Sequence, residues 1–264
     1  MDLKLSGKVA LVTGSTAGIG FAIAKAFAAE GAAVIINGRT EKRVSQAISA
    51  IQTMHPRTTL QPLALDLSKA GDADEAVARF PNIDILINNL GIYEPRPFEQ
   101  ISDTEWQSMI ETNFMSGVRL SRFYMPRMKN AGWGRILFIS SESAVNIPAE
   151  MIHYGVTKTM QVALARGLAE TTAGTSVTVN SILAGPTHSE GVQKFIADMA
   201  ARQATTPAEV EKDFFKNIRP SSLLKRFAEV EEVAAFVTFI ASPLSSATNG
   251  AALRVEGGIL RSIV

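Results

Sequence analysis

The chain has 264 residues, 46% of them hydrophobic, a net charge of +1 and no cysteine. That length and apolar fraction support a large core and exclude a disordered chain, and the missing cysteines exclude disulfides, thiolate metal sites and a cysteine nucleophile. With no long run of one charge, no signal-like apolar core at the N-terminus and no apolar stretch near the ~20 residues of a membrane span, the expectation is a cytoplasmic protein with neither nucleic-acid nor membrane partner.

The first apolar run, Val9 to Val12, suits a parallel strand buried on both faces. Thr13-Gly14-Ser15-Thr16-Ala17-Gly18-Ile19-Gly20 follows at once, and then Ile19, Ala22, Ile23, Ala26 and Phe27 recur at helical spacing. Gly31 fits the helix stop, and Val34-Ile35-Ile36 reads as the second strand. Strand, glycine turn, helix and strand is the setting in which glycines let the backbone approach a pyrophosphate at a helix N-terminus.

The alternation continues with a helix over 41–53 and a strand over 60–65 that contains Pro62. Proline lacks the N–H a central strand needs, so this strand belongs at a sheet edge. Asp66-Leu67 ends it. A helix over 72–79 leads to the fourth strand at 83–87, which ends in Asn88-Asn89-Leu90-Gly91. Ser102-Asp103-Thr104-Glu105 is a capping box that opens a long helix. Asn113 lies on its inward stripe with Trp106, Met109, Ile110, Phe114 and Gly117. A polar residue there is either satisfied by backbone or placed for function.

The fifth strand, 136–139, delivers Ser140 and Ser141 at its C-terminal end. Tyr154 and Lys158 then stand four apart on a helix that runs to about Thr172, so both side chains share one face. An ammonium beside a phenol favours the phenolate and lowers its pKa, which suits proton transfer near neutral pH. Strands six and seven fall at 177–183 and 251–255, the latter preceded by a helix over 229–241. Between strand six and that helix, residues 188–222 form a long insertion of the kind that often acts as a lid. Ser189 and Thr206-Pro207-Ala208-Glu209 each look like helix starts within it.

Six βα units and a last strand predict an α/β fold: a doubly wound, Rossmann-type, seven-stranded parallel sheet with helices on both faces, in a single domain over 1–264. Ligands of such sheets bind at the carboxyl ends of the strands, where Thr13, Asn89, Ser141 and Thr187 all fall. His55, His153 and His188 match no metal spacing, so no metal is expected.

In its combination of motifs the sequence resembles the short-chain dehydrogenase/reductase family, in its compact single-domain branch, from Gly7 to Gly258. The resemblance implies a catalytic set of Asn113, Ser141, Tyr154 and Lys158, with Ser141 and Tyr154 also holding the substrate. It implies cofactor contacts from Gly14, Ser15, Thr16, Gly18, Ile19, Gly20, Asp66, Leu67, Asn89, Gly91, Tyr154, Lys158 and Thr187, with Ser189 second to Thr187. Leu90 and Ala184 depart from the family's usual alanine and proline. The implied chemistry is hydride transfer between a nicotinamide and a carbonyl or secondary alcohol. Tyr154 is then the general acid/base, Lys158 lowers its pKa, and Asn113 holds a water that relays protons from Lys158.

An acid that would hold the ribose of NAD is expected at the end of the second strand, where this chain has Gly38 and then Arg39. A guanidinium there matches a 2′-phosphate, so the expected cofactor is NADP(H). The resemblance also implies a homotetramer, paired through a face with Ala163 and Gly167 and the helix from Asp103. The expected substrate is a small carbonyl or alcohol compound, partly apolar. Tyr93, Phe98, Val145, Ile147, Met151, Phe195 and Met199 are the apolar groups able to line its pocket, with polarity from Glu94, Arg96, Glu142, Glu150 and His188. Two other readings are open: a catalytically silent nucleotide-binding regulator, and a nucleotide-sugar epimerase or dehydratase. The latter usually carries an added substrate domain, and none is expected after the seventh strand here.

Overall fold

Seven short, mostly apolar strands lie parallel in one sheet: β1 Val9–Val12, β2 Ala33–Gly38, β3 Leu60–Ala64, β4 Ile85–Asn88, β5 Gly134–Ser141, β6 Val177–Ala184 and β7 Ala252–Val255. This computed structural model describes residues 1–263, apart from the side chain of Phe195. The strand order is β3-β2-β1-β4-β5-β6-β7. Every residue of β4, β5 and β6 is buried, as strands covered on both faces must be. β3 takes the edge, with exposed Pro62 beside Ile36, because no outer neighbour needs the missing N–H.

Helices α1 (Gly18–Ala29), α2 (Glu41–Met54) and α9 (Val230–Ile240) cover one face. Their Ile23, Phe27, Val44, Ile51, Val233 and Val237 pack with β1, β2 and β6. Helices α3 (Ala70–Arg79), α5 (Ser116–Ala131) and α6 (Ile152–Glu170) cover the other. There Ala76, Leu120, Tyr124 and Ala165 pack with Leu11, Leu86 and Phe138. The expected doubly wound architecture is what the chain forms, with element ends moved by a few residues.

The helix expected from Asp103 is interrupted. α4 (Asp103–Ile110) has the predicted capping box between Ser102 and Glu105, and α5 continues from it through a π-helical turn over Glu111–Met115. Asn113 sits in that widened turn. Such turns frequently mark functional positions, because the extra residue re-aims the local side chains.

The 188–222 segment folds into α7 (Glu190–Gln203), α8 (Pro207–Asp213) and a π-helical turn over Phe214–Ile218. Ser189 caps α7, and Thr206 with Glu209 forms the capping box of α8. Ile196, Ala200, Val210, Phe215 and Phe227 make a small core of their own, with Met199 packed on it. No described helix is long and apolar enough to cross a membrane.

Candidate active site

The glycine loop lies between the ends of β1 and β4, where the strand order reverses and open α/β sheets bind ligands. Gly14 and Gly18 have φ of +62° and +54°, which side-chain-bearing residues rarely adopt. A Cβ at Gly20 would stand 2.4 Å from Asn89 Nδ2 and 2.5 Å from the Gly14 carbonyl oxygen. Asn89 donates from that nitrogen to the carbonyls of Thr13 (2.9 Å) and Gly14 (3.3 Å). On the other flank the Gly14 N–H donates to Asn37 Oδ1 at 3.0 Å, while Asn37 Nδ2 donates to Leu63 and Leu65 carbonyls. The loop is therefore clamped from both sides of the sheet.

Helix α1 starts with no side-chain cap and no acid in its first turn, whereas Thr40, Ser102, Ser189 and Thr206 cap α2, α4, α7 and α8. Its free N–H groups and dipole face a cavity of about 270 Å³ lined by Gly14, Gly18, Gly20, Asn89 and Gly91. That cradle fits a dinucleotide pyrophosphate.

Other expected cofactor contacts fall unevenly. Ser15 is fully buried, and its N–H and Oγ are both bonded to the Asn37 backbone, so it shapes the loop from below instead of meeting a ligand. The Leu67 side chain is core, which leaves only its backbone for an adenine contact. Asp66 accepts from Ser68 N and Oγ and so holds its own turn. Thr187 lines the neighbouring cavity and donates to the Gly185 carbonyl at 2.9 Å. Thr16 reaches across to β2, where a Cβ at Gly38 would come within 2.4 Å of its Cγ2. Any side chain at 38, an acid included, would have to displace the Thr16 side chain. Arg39 is exposed next door, and Lys42 and Arg43, which the sequence reading passed over, line a surface cavity with Thr16.

Strand β5 and helix α6 bring Ser141, Tyr154 and Lys158 together. Lys158 is buried, donates to the Ile139 carbonyl at 2.8 Å and to Gln161 Oε1 at 3.3 Å, and lies 5.6 Å from the centroid of the Tyr154 ring. Asn113 Oδ1 accepts from the Ile92 N–H at 2.7 Å, and Nδ2 donates to the Ile92 carbonyl (2.9 Å) and Thr157 Oγ1 (3.0 Å). Its side chain is thus satisfied mainly by the loop after β4, and its backbone carbonyl accepts from Gln161 Nε2. Gln161 bridges Asn113 to Lys158, the place where the resemblance implied a water. Its signal was its position one turn beyond Lys158 on the same face.

Burial and Glu142 are the main influences on the Tyr154 pKa, and Lys158 is not among them. Burial raises the phenol well above its ordinary value, and the negative charge of Glu142 raises it further. A hydrogen bond with Ser141 and the Arg219 guanidinium pull the other way without prevailing. Burial brings Lys158 down to about 8. Desolvation outweighs proximity here because burial among protein atoms makes both an ammonium and a phenolate costly. As it stands, the site keeps the phenol protonated.

A cavity of about 380 Å³ opens above Ser141 and Tyr154 and meets the glycine cradle at Ile19 and Ser189. Of the expected apolar lining, Tyr93 and Met151 are present. Phe98, Val145 and Ile147 instead stand largely in solvent, Met199 packs inside the 188–222 segment, and the Phe195 side chain lies outside the described residues. The apolar wall comes chiefly from Val192, Phe214, Ile218 and Phe227. Glu94 and Arg96 pair with each other in solvent, whereas Glu142 and Glu150 line the cavity. Buried Arg219 joins them: its Nε donates to Glu142 Oε1 at 3.1 Å and its Nη1 to Glu150 Oε1 at 3.3 Å. Nothing local in the sequence marks Arg219, which pairs with a residue 77 positions away.

Residues 8–200 match the family described as short chain dehydrogenase. The chain belongs to the short-chain dehydrogenase/reductase family. It is 49% identical over 263 residues, the full length of both chains, to an uncharacterized oxidoreductase, YvaG, of Bacillus subtilis. It is 32% identical to the D-beta-hydroxybutyrate dehydrogenase of Cupriavidus necator, covering 96% of this chain and 98% of that one. Among solved structures, the L-sorbose reductase of Gluconobacter frateurii, complexed with NADPH and L-sorbose, superposes with a TM-score of 0.93 at 30% identity over the whole of both chains. An oxidoreductase of this family uses a nicotinamide cofactor and a small-molecule substrate.

Proposed function

We propose that the protein is an NADP(H)-dependent oxidoreductase that reduces a carbonyl compound, or oxidises the matching secondary alcohol, with Tyr154 as general acid/base. The observation that carries this reading is that Ser141 and Tyr154 face a cavity that meets the glycine cradle at Ile19 and Ser189, with Lys158 buried beside the Tyr154 ring. When bound there, the nicotinamide supplies or accepts the hydride. The chain's own residues do the rest. Free N–H groups at the start of α1 hold the pyrophosphate, and Ser141 orients the substrate oxygen. Tyr154, kept protonated by burial and by Glu142, donates the proton to that oxygen. Lys158, with a pKa near 8, takes up and releases protons close to neutral pH. Apolar side chains of the 188–222 segment close the cavity against water, which makes that segment a substrate lid.

The preference for NADP(H) rests on the crowded Gly38 and on Arg39, with Lys42 and Arg43 nearby. The NADPH carried by the L-sorbose reductase supports the same choice. Full-length similarity to dehydrogenases and reductases weighs against a silent regulator and against a nucleotide-sugar epimerase. A homotetramer in the cytoplasm completes the proposal. Ala163 and Gly167 leave an exposed, small-residue face on α6 that a partner helix can approach. NADPH oxidation followed against a panel of ketones and aldehydes tests the function, and no turnover of any of them with a bound cofactor would reject it. Light scattering at micromolar concentration tests the tetramer.

A further inference from the structure

Ser141 has one hydroxyl proton, and in this structure Glu142 Oε2 and the Tyr154 oxygen compete for it. The Oγ accepts from the Ser143 N–H at 3.1 Å, so its other side is engaged as well. Glu142 is itself buried and fixed: its side chain is 4% exposed, and its second oxygen takes the Arg219 Nε. The proposed reaction needs the Ser141 proton on the substrate oxygen. Turning it there strips a donor from a buried carboxylate, a costly change unless another donor replaces it. A plain ketone offers none. A ketone with a hydroxyl on the adjacent carbon does. Because Ser141 Oγ and Glu142 Oε2 touch each other, the two substrate oxygens they hold must also be near neighbours, as oxygens on adjacent carbons are.

Charge narrows the class further. One guanidinium, Arg219, faces two carboxylates, Glu142 and Glu150, at the cavity wall. Its Nε and Nη1 are taken by them. In the cavity lining itself the carboxylates outnumber the guanidinium, with Lys158 buried and outside that lining, so this wall disfavours a substrate carboxylate or phosphate next to the carbonyl. The remaining walls, with Tyr93, Met151, Val192 and Phe227, are apolar or aromatic and accept an uncharged remainder.

We propose that Glu142, fixed by Arg219, is a specificity-determining residue that accepts a hydrogen bond from a hydroxyl beside the reacting carbonyl, so that the substrate is an uncharged α-hydroxy ketone. This rests on the reading of the site as a carbonyl reductase. The hydroxyl takes the place of Ser141 on Glu142 and frees the serine to hold the carbonyl oxygen. Reduction then yields a vicinal diol, with two electrons and one hydrogen from NADPH to the carbonyl carbon, a proton from Tyr154 to the oxygen, and NADP⁺ left behind.

Hydroxyacetone, butanone and pyruvate form a test set in which a hydroxyl, a methyl or a carboxylate sits at the same place. The wild-type chain with NADPH is expected to favour hydroxyacetone over butanone by roughly 10- to 100-fold in kcat/KM, the span of a hydrogen bond to a charged group, and to use pyruvate least. In Glu142→Leu the hydroxyacetone-to-butanone ratio should fall toward one, with NADPH affinity as the control for folding. If that variant does not fold, Glu142→Gln carries the test, and its ratio should drop several-fold. Equal wild-type use of hydroxyacetone and butanone, or an unchanged ratio in a folded variant, would overturn the proposal. If neither ketone turns over, saturation-transfer NMR on the NADP⁺-loaded protein decides. Selective hydroxyacetone binding that is lost in Glu142→Gln upholds the Glu142 site and rejects only the reductase reading, whereas equal binding rejects the Glu142 site.

Discussion

At the Tyr154 hydroxyl, burial, the Glu142 carboxylate and the Ser141 hydrogen bond act on one proton, and their balance leaves the phenol protonated. Removing only that hydroxyl leaves the glycine cradle untouched. Tyr154→Phe is therefore expected to lower kcat by roughly 10²- to 10⁴-fold, the usual worth of general acid–base catalysis, while NADPH affinity changes little. Steady-state kinetics with a fluorescence titration of NADPH checks this, and a variant that keeps a tenth of the wild-type rate contradicts the assigned role. Arg39 makes the complementary case for the cofactor. A hydrogen bond to a charged group contributes about 1.5–3 kcal/mol, so Arg39→Ala should weaken NADPH binding by roughly 10- to 100-fold and NADH binding hardly at all. Equal losses for both cofactors would move the 2′-phosphate contact elsewhere, with Lys42 and Arg43 the next candidates.

At the scale of the element, the turn between β1 and α1 shows what the sequence could and could not reveal. The apolar runs, the glycines and the capping residues act locally, so the sheet, its Pro62 edge strand and the helix starts at Ser102 and Thr206 were all legible. The clamp on the turn was not, because Asn37 and Asn89 reach it from β2 and the end of β4 through side-chain bonds. A single polar residue ending the run Val34-Ile35-Ile36 was the available sign for Asn37. Arg219 and the cavity wall at Phe214 and Phe227 were invisible for a similar reason: their partners lie far along the chain, and apolar spacing alone does not say which face of a lid looks inward. The clamp yields a prediction of its own. Gly20→Ala puts a methyl 2.4 Å from Asn89 Nδ2, so either the asparagine leaves the turn or the helix start shifts. Overpacking of this kind costs about 1–3 kcal/mol. The variant should melt lower and lose NADPH affinity, and unchanged cofactor binding would show that the cradle tolerates a displaced Asn89.

The whole molecule must bury Lys158 to assemble its site, at the meeting of β5, α6 and the π-helical turn that carries Asn113. Among the described residues no carboxylate forms an ion pair with it, and burial lowers its pKa from 10.5 to about 8. In the unfolded chain the group returns to its ordinary value. Between those two values the unfolded chain holds a proton that the folded one has shed, so this group makes stability rise with pH from about 8 to about 10.5. Below that window both states are protonated and the penalty is constant, at most about 3 kcal/mol for a shift of this size. Replacing the lysine with methionine removes the buried charge but leaves the Ile139 carbonyl and Gln161 Oε1 without a donor, each at a cost of about 1–3 kcal/mol. The two effects are of similar size, so Lys158→Met without cofactor should lie within about 3 kcal/mol of the wild type at pH 7, although turnover is lost. The wild type should then gain on the variant as the pH rises through the window. Urea unfolding of both chains at several pH values between about 7 and 10 measures the difference directly, because the other lysines and tyrosines titrate alike in the two and cancel. A difference that stays flat with pH would mean that Lys158 keeps its ordinary pKa in the folded chain, and that its proton is not available near neutral pH for the chemistry proposed at Tyr154.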